Sequence, residues 1–212
     1  MATLADLRTR IAERLKDPSF QTISAASVNL VINQTLHYYK YRRFWFNDSE
    51  VDITLNVGDP LVPNIPADLL TELPTGGLVI NYSTVFYKIE KRSGDIYDQE
   101  NVSGVGLPYI YCYRDQNYYL YFYPNIAYTL KFRYIHDYAD LVNDSDNNDF
   151  TNNCDMMMMY NALSRIYGEY KQDPTMEKYY TSRADDEEKN INRRSDILNG
   201  SGTLTLDSYL LM

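Results

Sequence analysis

The spacing of hydrophobic residues changes twice along this chain, and these changes constrain its fold more than any motif does. Near the start the large apolar residues recur every three or four positions, as on one face of an α-helix. They are Leu4, Leu7, Ile11 and Leu15. From Asn47 to about Leu141 apolar and polar residues alternate instead, which is typical of β-strands with one buried face. Helical spacing returns near residue 150, so the predicted order is helices, a β insertion and helices.

Capping residues place the two N-terminal helices. Thr3 is suited to cap the first helix, and Asp17-Pro18 is expected to end it. Ser24 is the predicted cap of the second helix, which we expect to run to about Phe46. The residues of its predicted buried face are Val28, Val31, Ile32, Thr35 and Tyr39.

Two further helices are predicted near the C-terminal end. The third is expected to start with Asn152 or Asn153 as its cap and to end before Asp173-Pro174. Its predicted apolar face consists of Met156, Met159, Leu163, Ile166 and Tyr170, and is widened by Met158 and Ala162. Pro174 fits the first position of a fourth helix, where no backbone N–H is needed. The apolar residues of that helix are Met176, Tyr179, Tyr180, Ala184 and Ile191.

The segment between the helices predicts a sheet. Residues 108–136 hold the clearest strands, and turn residues at 115–117 and 124–125 divide them into an antiparallel meander. Residues 58–77 and 92–106 contain most of the Gly and Pro and are predicted loops. We therefore expect an α+β fold with three parts. They are a helical bundle of about four helices (1–46 and 150–198), an inserted antiparallel β meander (47–141) and an extended C-terminal arm (199–212).

Tyrosine is the outlier of the composition, with 22 residues. Tyrosine is favoured in strands and at protein interfaces, where an apolar ring needs one polar end. The strands of the predicted meander carry tyrosines on both faces, which favours a sheet covered on both sides, in part by other subunits. The candidates for this contact are Tyr109, Tyr111, Tyr113, Tyr119, Tyr121 and Tyr123. The alternative is a carbohydrate-binding face, because tyrosine rings also stack on sugars.

Charge and cysteine content exclude several classes of protein. The net charge of −9 repels a phosphate backbone and excludes a conventional DNA-binding protein, although an acidic surface could line a passage through which DNA slides. We find no apolar run long enough to span a bilayer and no signal-peptide pattern at the start. Two cysteines make no disulfide framework, so we expect assembly in a reducing cytoplasm and no membrane partner.

No motif in the sequence predicts catalysis, a cofactor or a metal site. His37 and His136 have no nucleophile motif near them, and we interpret both as packed or surface residues. Residues 144–149 resemble the start of a calcium loop, but Asp149 stands where the sharp turn needs Gly, which favours a polar linker. Basic and aromatic residues alternate from Lys40 onward, a pattern that can stack on single-stranded nucleic acid. We favour instead a junction in which aromatic residues are core and cations cap a helix; its residues are Arg42, Arg43, Phe44 and Trp45.

The C-terminal end carries an apolar segment beyond a breaker at residues 199–202. Its large apolar residues are Leu204, Leu206, Tyr209, Leu210, Leu211 and Met212. Burying each of them is worth roughly 1.5–3 kcal/mol, so a solvent-exposed tail is unfavourable. The segment is therefore expected either to fold back or to dock on another chain, and the residues alone leave both open.

Three parts of the chain resemble head–tail adaptor proteins of short-tailed phages. One is Leu4-Ala5-Asp6-Leu7 through Ile11-Ala12-Glu13-Arg14-Leu15. Another comprises Asn33-Gln34, Tyr38-Tyr39 and Arg42-Arg43-Phe44-Trp45-Phe46-Asn47. The third is Asn152-Asn153-Cys154-Asp155-Met156-Met157-Met158-Met159-Tyr160-Asn161-Ala162-Leu163, followed by Tyr170-Lys171-Gln172-Asp173-Pro174. As an order of elements, the similarity covers most of the chain.

The resemblance implies a structural, non-enzymatic protein of the virion, located at the head–tail junction. Such adaptors form a ring of twelve copies below the portal, which extends the DNA channel, helps to retain packaged DNA and provides a platform for the tail nozzle. The implied partners are further copies of this chain, the portal protein, a tail nozzle or tail fibre protein, and passing double-stranded DNA that is not bound by sequence. The C-terminal arm would contact the portal. The alternative is a carbohydrate- or surface-binding virion module that uses the tyrosine-rich sheet.

Overall fold

The first helix begins where the sequence places it. The computed structural model describes residues 1–73, 77–95 and 104–198, and helix α1 spans Leu4–Arg14. The Thr3 side chain accepts a hydrogen bond from the Asp6 N–H at 3.2 Å, and the Asp6 carboxylate accepts one from the Thr3 N–H at 3.0 Å. This reciprocal capping box confirms the predicted N-cap. The helix ends slightly earlier than expected, with Leu15 as its C-cap.

Helix α2 spans Ala25–Tyr39 and ends seven residues before the predicted Phe46. The prediction of a longer helix is wrong because a side chain further along closes a turn. The Asn47 side chain accepts a hydrogen bond from the Phe44 N–H at 2.8 Å and donates one to the Arg42 carbonyl at 2.7 Å. These bonds occupy backbone groups that a continuing helix would use.

The predicted third helix is two helices. Helix α3 spans Asp149–Asn153 and α4 spans Asp155–Glu169, separated by Cys154, whose φ of −144° is not helical. The prediction of an Asn152 or Asn153 cap is wrong. Asn148 is the N-cap of α3, and its side chain accepts the Thr151 N–H at 3.0 Å. Helix α5 spans Pro174–Leu198, which confirms Pro174 as a first helical residue.

Contacts divide the chain into two compact units, each described separately below. The helical unit consists of Met1–Asn47 and the described residues from Tyr138 onward. The β unit consists of Asp48–Asp137. The observed class is the predicted mixture of α and β.

Helix α4 is the centre of the helical unit and contacts α1, α2, α3 and α5. Its buried face is wider than predicted, because Met157 and Tyr160 are buried together with Met158, Met159 and Leu163. Tyr170, placed on that face by sequence, is instead exposed. On α5 the buried residues are Tyr180, Ala184, Ile191 and Ser195, whereas Tyr179 is exposed. Because α4 is buried on several sides, its apolar residues do not form a single stripe, and a buried face is hard to predict from the sequence.

The β unit contains three sheets formed by ten strands of the described residues. The strands are β1 (Asp48–Thr54), β2 (Leu69–Glu72), β3 (Leu78–Tyr82), β4 (Val85–Lys88), β5 (Glu90–Lys91), β6 (Val105–Gly106), β7 (Ile110–Arg114), β8 (Asn117–Tyr121), β9 (Tyr123–Pro124) and β10 (Thr129–His136). The main sheet has the order β1-β10-β3-β4, with β2 also paired to β10. The second has the order β5-β7-β8, and β6 pairs with β9 in the third.

The predicted meander over residues 108–136 is wrong in its third strand. Strands β7 and β8 form the expected antiparallel hairpin, with Cys112 opposite Tyr119. Strand β10 lies in the main sheet, between β1 on one side and β2 and β3 on the other. Leu130 and Phe132 of β10 are fully buried in the core of the β unit. Burial of these two side chains in the main sheet is thus more favourable than pairing of β10 with the strand that precedes it in the chain.

Candidate interaction surfaces

The junction residues Phe44 and Trp45 belong to an aromatic cluster of the helical unit. Phe44 is fully buried, with its ring stacked 5.3 Å from that of Phe46 and edge-to-face with that of Phe150 at 5.9 Å. The Trp45 N–H donates a hydrogen bond to the Ser195 hydroxyl at 3.2 Å, and the Arg194 guanidinium lies 4.5 Å from the centre of the Trp45 ring. The buried Phe44 ring is inaccessible to nucleic-acid bases, whereas the half-buried Trp45 ring has an internal cation–π partner in Arg194.

The cations of the junction lie in different environments. The Arg42 guanidinium lies 4.8 Å from the Tyr38 ring centre and forms an ion pair with Glu188 of α5. Arg42 thus ties the end of α2 to α5, and the C-cap residue of α2 is Lys40, another cation. The stabilisation of the helix end by Arg42 and Arg43 stays a prediction. Arg43 has an exposed side chain.

A polar contact under Tyr39 connects α2 and α4, and the one sign of it in the sequence is an asparagine within an apolar helix. The Asn161 amide donates to the Tyr39 hydroxyl at 3.3 Å, and the Asn161 carbonyl accepts from Arg165 at 2.9 Å. Burial raises the pKa of Tyr39 to about 12, against the smaller lowering effect of Arg42. Tyr39 is therefore neutral at physiological pH.

The six tyrosines predicted as interface residues separate into three groups. Tyr111 and Tyr121 are buried within the chain, Tyr109 and Tyr113 are exposed, and the remaining two, Tyr119 and Tyr123, are half-buried. The Tyr111 ring packs 6.0 Å from that of Tyr118, another buried tyrosine. Buried rings can contact neither a partner nor a sugar, so the exposed rings of this set are those of Tyr109 and Tyr113.

A carboxylate explains why Tyr111 and Tyr118 are buried. The Tyr111 hydroxyl donates to Glu72 Oε2 at 3.1 Å, and Lys91 forms an ion pair with Glu72 Oε1. Burial, assisted by the negative charge of Glu72, raises the pKa of both tyrosines well above their usual value. Sequence reasoning missed Glu72 because it lies in a segment predicted as a loop.

Strand β4 presents large apolar side chains to solvent. Phe86 is 59% exposed, and Val85 and Tyr87 are also exposed. A surface groove of about 340 Å³ beside this strand is lined by Val79, Phe86, Lys88 and Arg133. Alternation of apolar and polar residues alone did not show that β4 would lie at an edge of the sheet.

Charged residues cover the outer face of the main sheet next to β1. Glu50 accepts hydrogen bonds from Lys131 at 2.5 Å and from Arg133 at 2.6 Å. Asp52 lies 3.4 Å from Lys131 and its side chain is 59% exposed. The hydrogen bonds from these two cations hold the pKa of Glu50 below its usual value. Strand β1 therefore carries acidic side chains, whereas β4 of the same sheet exposes apolar ones.

The two histidines make ordinary polar contacts. His37 Nε2 lies 2.7 Å from Asp140 Oδ1, and His136 Nδ1 lies 3.2 Å from the Ser49 hydroxyl. Within residues 1–73, 77–95 and 104–198 we find no cluster of three or more His, Cys, Asp or Glu side chains that could hold a metal ion. Cys112 and Cys154 are both buried free thiols, and burial raises the pKa of Cys154.

The calcium-like segment is a structured turn. The carboxylate of Asp146 accepts the backbone N–H of Asn143 at 2.7 Å and that of Val142 at 2.8 Å, which holds its pKa below the usual value. The carbonyls of Asp144 and Asp146 accept the N–H groups of Ala5 and Leu4. These contacts use the polar groups of the turn to fix the start of α1.

The portal-contact candidates of the C-terminal arm, from Leu204 to Met212, lie outside the described residues. Among the residues that are described, no helix combines the length and the apolar character needed to cross a membrane.

The comparison with known families finds a match over nearly the whole chain. The family described as SU10 adaptor protein matches residues 2–204, which extend over both units. No curated protein matches the chain. The match agrees with the resemblance of three segments to phage head–tail adaptors, and it extends that resemblance through the β unit. The chain therefore belongs to the SU10 adaptor protein family, a family of structural adaptor proteins of bacteriophages.

Proposed function

We propose that this protein is the head-to-tail adaptor of a phage virion, and that it forms a ring of twelve copies below the portal. In this position it extends the DNA channel, helps to retain packaged DNA and gives the tail nozzle a platform. The observation that carries the proposal is the family match over residues 2–204. The role is structural and needs no catalytic residue.

The charge of the chain supports a channel through which DNA slides. A net charge of −9 gives a surface that repels phosphate groups, so passing double-stranded DNA is not gripped and is not read by sequence. A conventional DNA-binding protein needs the opposite charge, because most of its affinity comes from contacts between cations and phosphates.

The internal contacts of the helical unit support a role as a stable building block. Its core contains side chains from all five helices, and the ion pair between Arg42 and Glu188 fixes the end of α2 on α5. A ring that carries other virion proteins needs subunits that keep one shape. In our proposal this unit gives the ring its framework, and the β unit contacts neighbouring copies or tail proteins through residues such as Tyr109 and Tyr113.

The C-terminal arm, residues 199–212, is the proposed contact with the portal. Its apolar side chains would gain hydrophobic free energy in a groove of the portal, or through strand pairing by the Thr203-Leu204-Thr205-Leu206 segment. The arm also carries little charge, which suits docking on a protein surface.

Portal binding by full-length and truncated chains tests the proposal. Purified full-length protein and a chain ending at Asn199 are each mixed with the portal protein of the same phage and separated by sedimentation. We expect the full-length chain to co-sediment with the portal and the truncated chain to bind at least about tenfold more weakly. Equal binding by both chains would refute the role of the arm, and no binding by either would refute the adaptor proposal.

A further inference from the structure

The main sheet of the β unit ends in two strands with different chemistry. In the order β1-β10-β3-β4, strand β1 pairs with β10 alone and β4 pairs with β3 alone within the described residues. An open edge exposes a row of backbone N–H and C=O groups that can pair with another chain. Natural proteins therefore protect the edges of their sheets unless a partner covers them.

Strand β4 has only part of the usual protection, namely its short length and Lys88. It contains no proline, all four of its residues are exposed, and three of them are large and apolar. The β3–β4 turn is also unusual, because Ser83 and Thr84 both have positive φ, at 48° and 73°. Neither residue is glycine or asparagine, the residues that favour such turns. An exposed apolar edge presented by a strained turn indicates a surface that another strand covers.

Strand β1 presents complementary charge on the same face of the sheet. The pairing register places Asp52, Lys131, Val79 and Lys88 in one row across the four strands. Lys131 in the middle of the row interacts with the two acidic residues Glu50 and Asp52. Lys88 at the β4 end has no ion pair with any residue that the structure describes. The row thus starts with an exposed carboxylate and ends with an unpaired ammonium group.

We propose that β4 of one copy pairs with β1 of a neighbouring copy, so that the main sheet continues from subunit to subunit. Each ladder from β1 to β4 is antiparallel, so β4 runs antiparallel to β1, and two sheets placed side by side meet as an antiparallel pair. In this arrangement Lys88 lies beside Asp52 of the neighbouring copy. The groove bounded by Val79 and Phe86 receives the outward side chains of that strand.

Charge complementarity favours a second copy over other occupants. The acidic and the basic ends belong to the same sheet and lie on the same face, so one copy carries both halves of the contact. Such a contact is head-to-tail, so a linear row of copies keeps one open edge at each end. These two edges pair with each other only when the row closes into a ring. The inference rests on the proposed ring and names the contact between its subunits.

A pair of engineered cysteines tests the contact directly. In the Asp52→Cys/Lys88→Cys chain, the two cysteines of neighbouring copies would lie close enough for a disulfide, and native Cys112 and Cys154 are buried. The chain is assembled with the portal and treated with an oxidant, or with a short bismaleimide that tolerates a shifted register. We expect a ladder of covalent multimers on a non-reducing gel and no ladder from either single-cysteine chain.

A matched control uses a lysine away from the sheet. Lys189 on α5 has a side chain that is 73% exposed, so Asp52→Cys/Lys189→Cys offers the same chemistry at an unrelated site. A ladder from the control as strong as that from the Asp52/Lys88 pair would overturn the inference. So would dimers from Lys88→Cys alone, because they would show a symmetric contact between two β4 strands.

Charge reversal in separate chains gives an independent test. Lys88→Glu and Asp52→Lys each place like charges in every contact between identical copies, and we expect assembly of each to weaken at least about tenfold. In an equimolar mixture, alternating copies restore an opposite-charge pair at every contact, so assembly should recover. Circular dichroism confirms that each variant folds, and a mixture that assembles no better than the single variants would contradict the contact.

The outcomes separate this inference from the proposed function. A ring of wild-type protein on the portal, without cross-linking of the Asp52/Lys88 cysteine pair, would refute the strand contact and leave the adaptor role intact. Cross-linking that appears only after removal of residues 199–212 would show that the apolar arm covers β4 in the full-length chain, which also overturns the inference. Absence of any ring on the portal would refute the proposed function and the contact together.

Discussion

Leu163 in the helical unit and Glu72 in the β unit are both buried, yet their surroundings differ. Leu163 lies in a core made mainly of aliphatic, methionine and aromatic side chains from five helices. Glu72 lies among tyrosines, where it accepts a hydrogen bond from Tyr111 and pairs with Lys91. The helical unit is thus stabilised chiefly by burial of apolar area, and the β unit depends in addition on polar contacts inside its sheets. Variants in each unit test this difference.

The largest effect is expected from the Leu163→Ala variant. Leu163 is fully buried, and removal of its side chain leaves a cavity in the helical core, which typically costs 2–5 kcal/mol, or about 3 kcal/mol here. Urea unfolding followed by circular dichroism measures the change, and amide hydrogen exchange of α4 locates it. Leu30→Ala is the matched control, because Leu30 is 54% exposed on α2 and its loss should cost below about 0.5 kcal/mol. Equal losses from both variants would refute an apolar core around α4.

A smaller but clear loss is expected from Glu72→Gln. The glutamine keeps the shape of the side chain but removes the charge that Lys91 and Tyr111 contact, and hydrogen bonds to a charged buried group contribute about 1.5–3 kcal/mol. Hydrogen exchange in β2, β7 and β8 should increase. The control is Glu90→Gln, since Glu90 has a 61% exposed side chain and its pair with Arg92 lies in solvent. Equal losses of stability from the two variants would show that the contacts of Glu72 with Lys91 and Tyr111 do not stabilise the β unit.

Loss of the α1 cap is expected to cost about 1 kcal/mol. Thr3→Ala removes the hydroxyl that accepts the Asp6 N–H and leaves that donor without its partner. Thermal unfolding of the helical unit measures the loss. Thr9→Ala, an exposed position in the same helix, removes a threonine without removing a cap and should be neutral or slightly stabilising. A greater loss from the second variant would contradict the capping geometry.

The smallest effect concerns Glu50 and depends on pH. Hydrogen bonds from Lys131 and Arg133 lower the pKa of Glu50 in the folded protein below the unfolded value of about 4.3. The carboxylate therefore stabilises the fold above the unfolded pKa, and this contribution is lost as pH falls through the folded pKa. Its side chain is 39% exposed, so solvent screening limits the contribution to below about 1 kcal/mol.

Glu50→Gln should consequently be less stable than the wild type at neutral pH and approach it in acid. Urea unfolding at several pH values, monitored by hydrogen exchange of β1 and β10, measures this difference. Glu13→Gln, at an exposed position of α1, is the control and should show no comparable change in β1 and β10. A difference between Glu50→Gln and wild type that grows on acidification would have the wrong sign and would contradict the ion pairs of the outer face.

Local signals in the sequence predicted the features that depend on neighbouring residues. The Thr3 cap, the Pro174 helix start and the β7–β8 hairpin each depend on residues close in the chain, and all three are confirmed. The predicted end of α2 was wrong, because the Asn47 side chain closes a turn on the Arg42 carbonyl, which hydrophobic spacing does not show. The partner of β10 depends on long-range strand pairing, and that prediction was also wrong. The same holds for Glu72, whose tyrosine partner Tyr111 lies 39 residues away. The exposed edge of β4 likewise follows from sheet order, which alternation does not encode.

We propose that the chain assembles as a ring on the portal of its phage. Native mass spectrometry of the wild-type chain mixed with purified portal measures the number of bound copies directly. We expect one dominant complex, with the mass of the portal plus twelve copies of the 24.8 kDa chain, and no stable complexes with fewer copies. A portal that remains free, or that binds single copies with no preferred number, would contradict the claim.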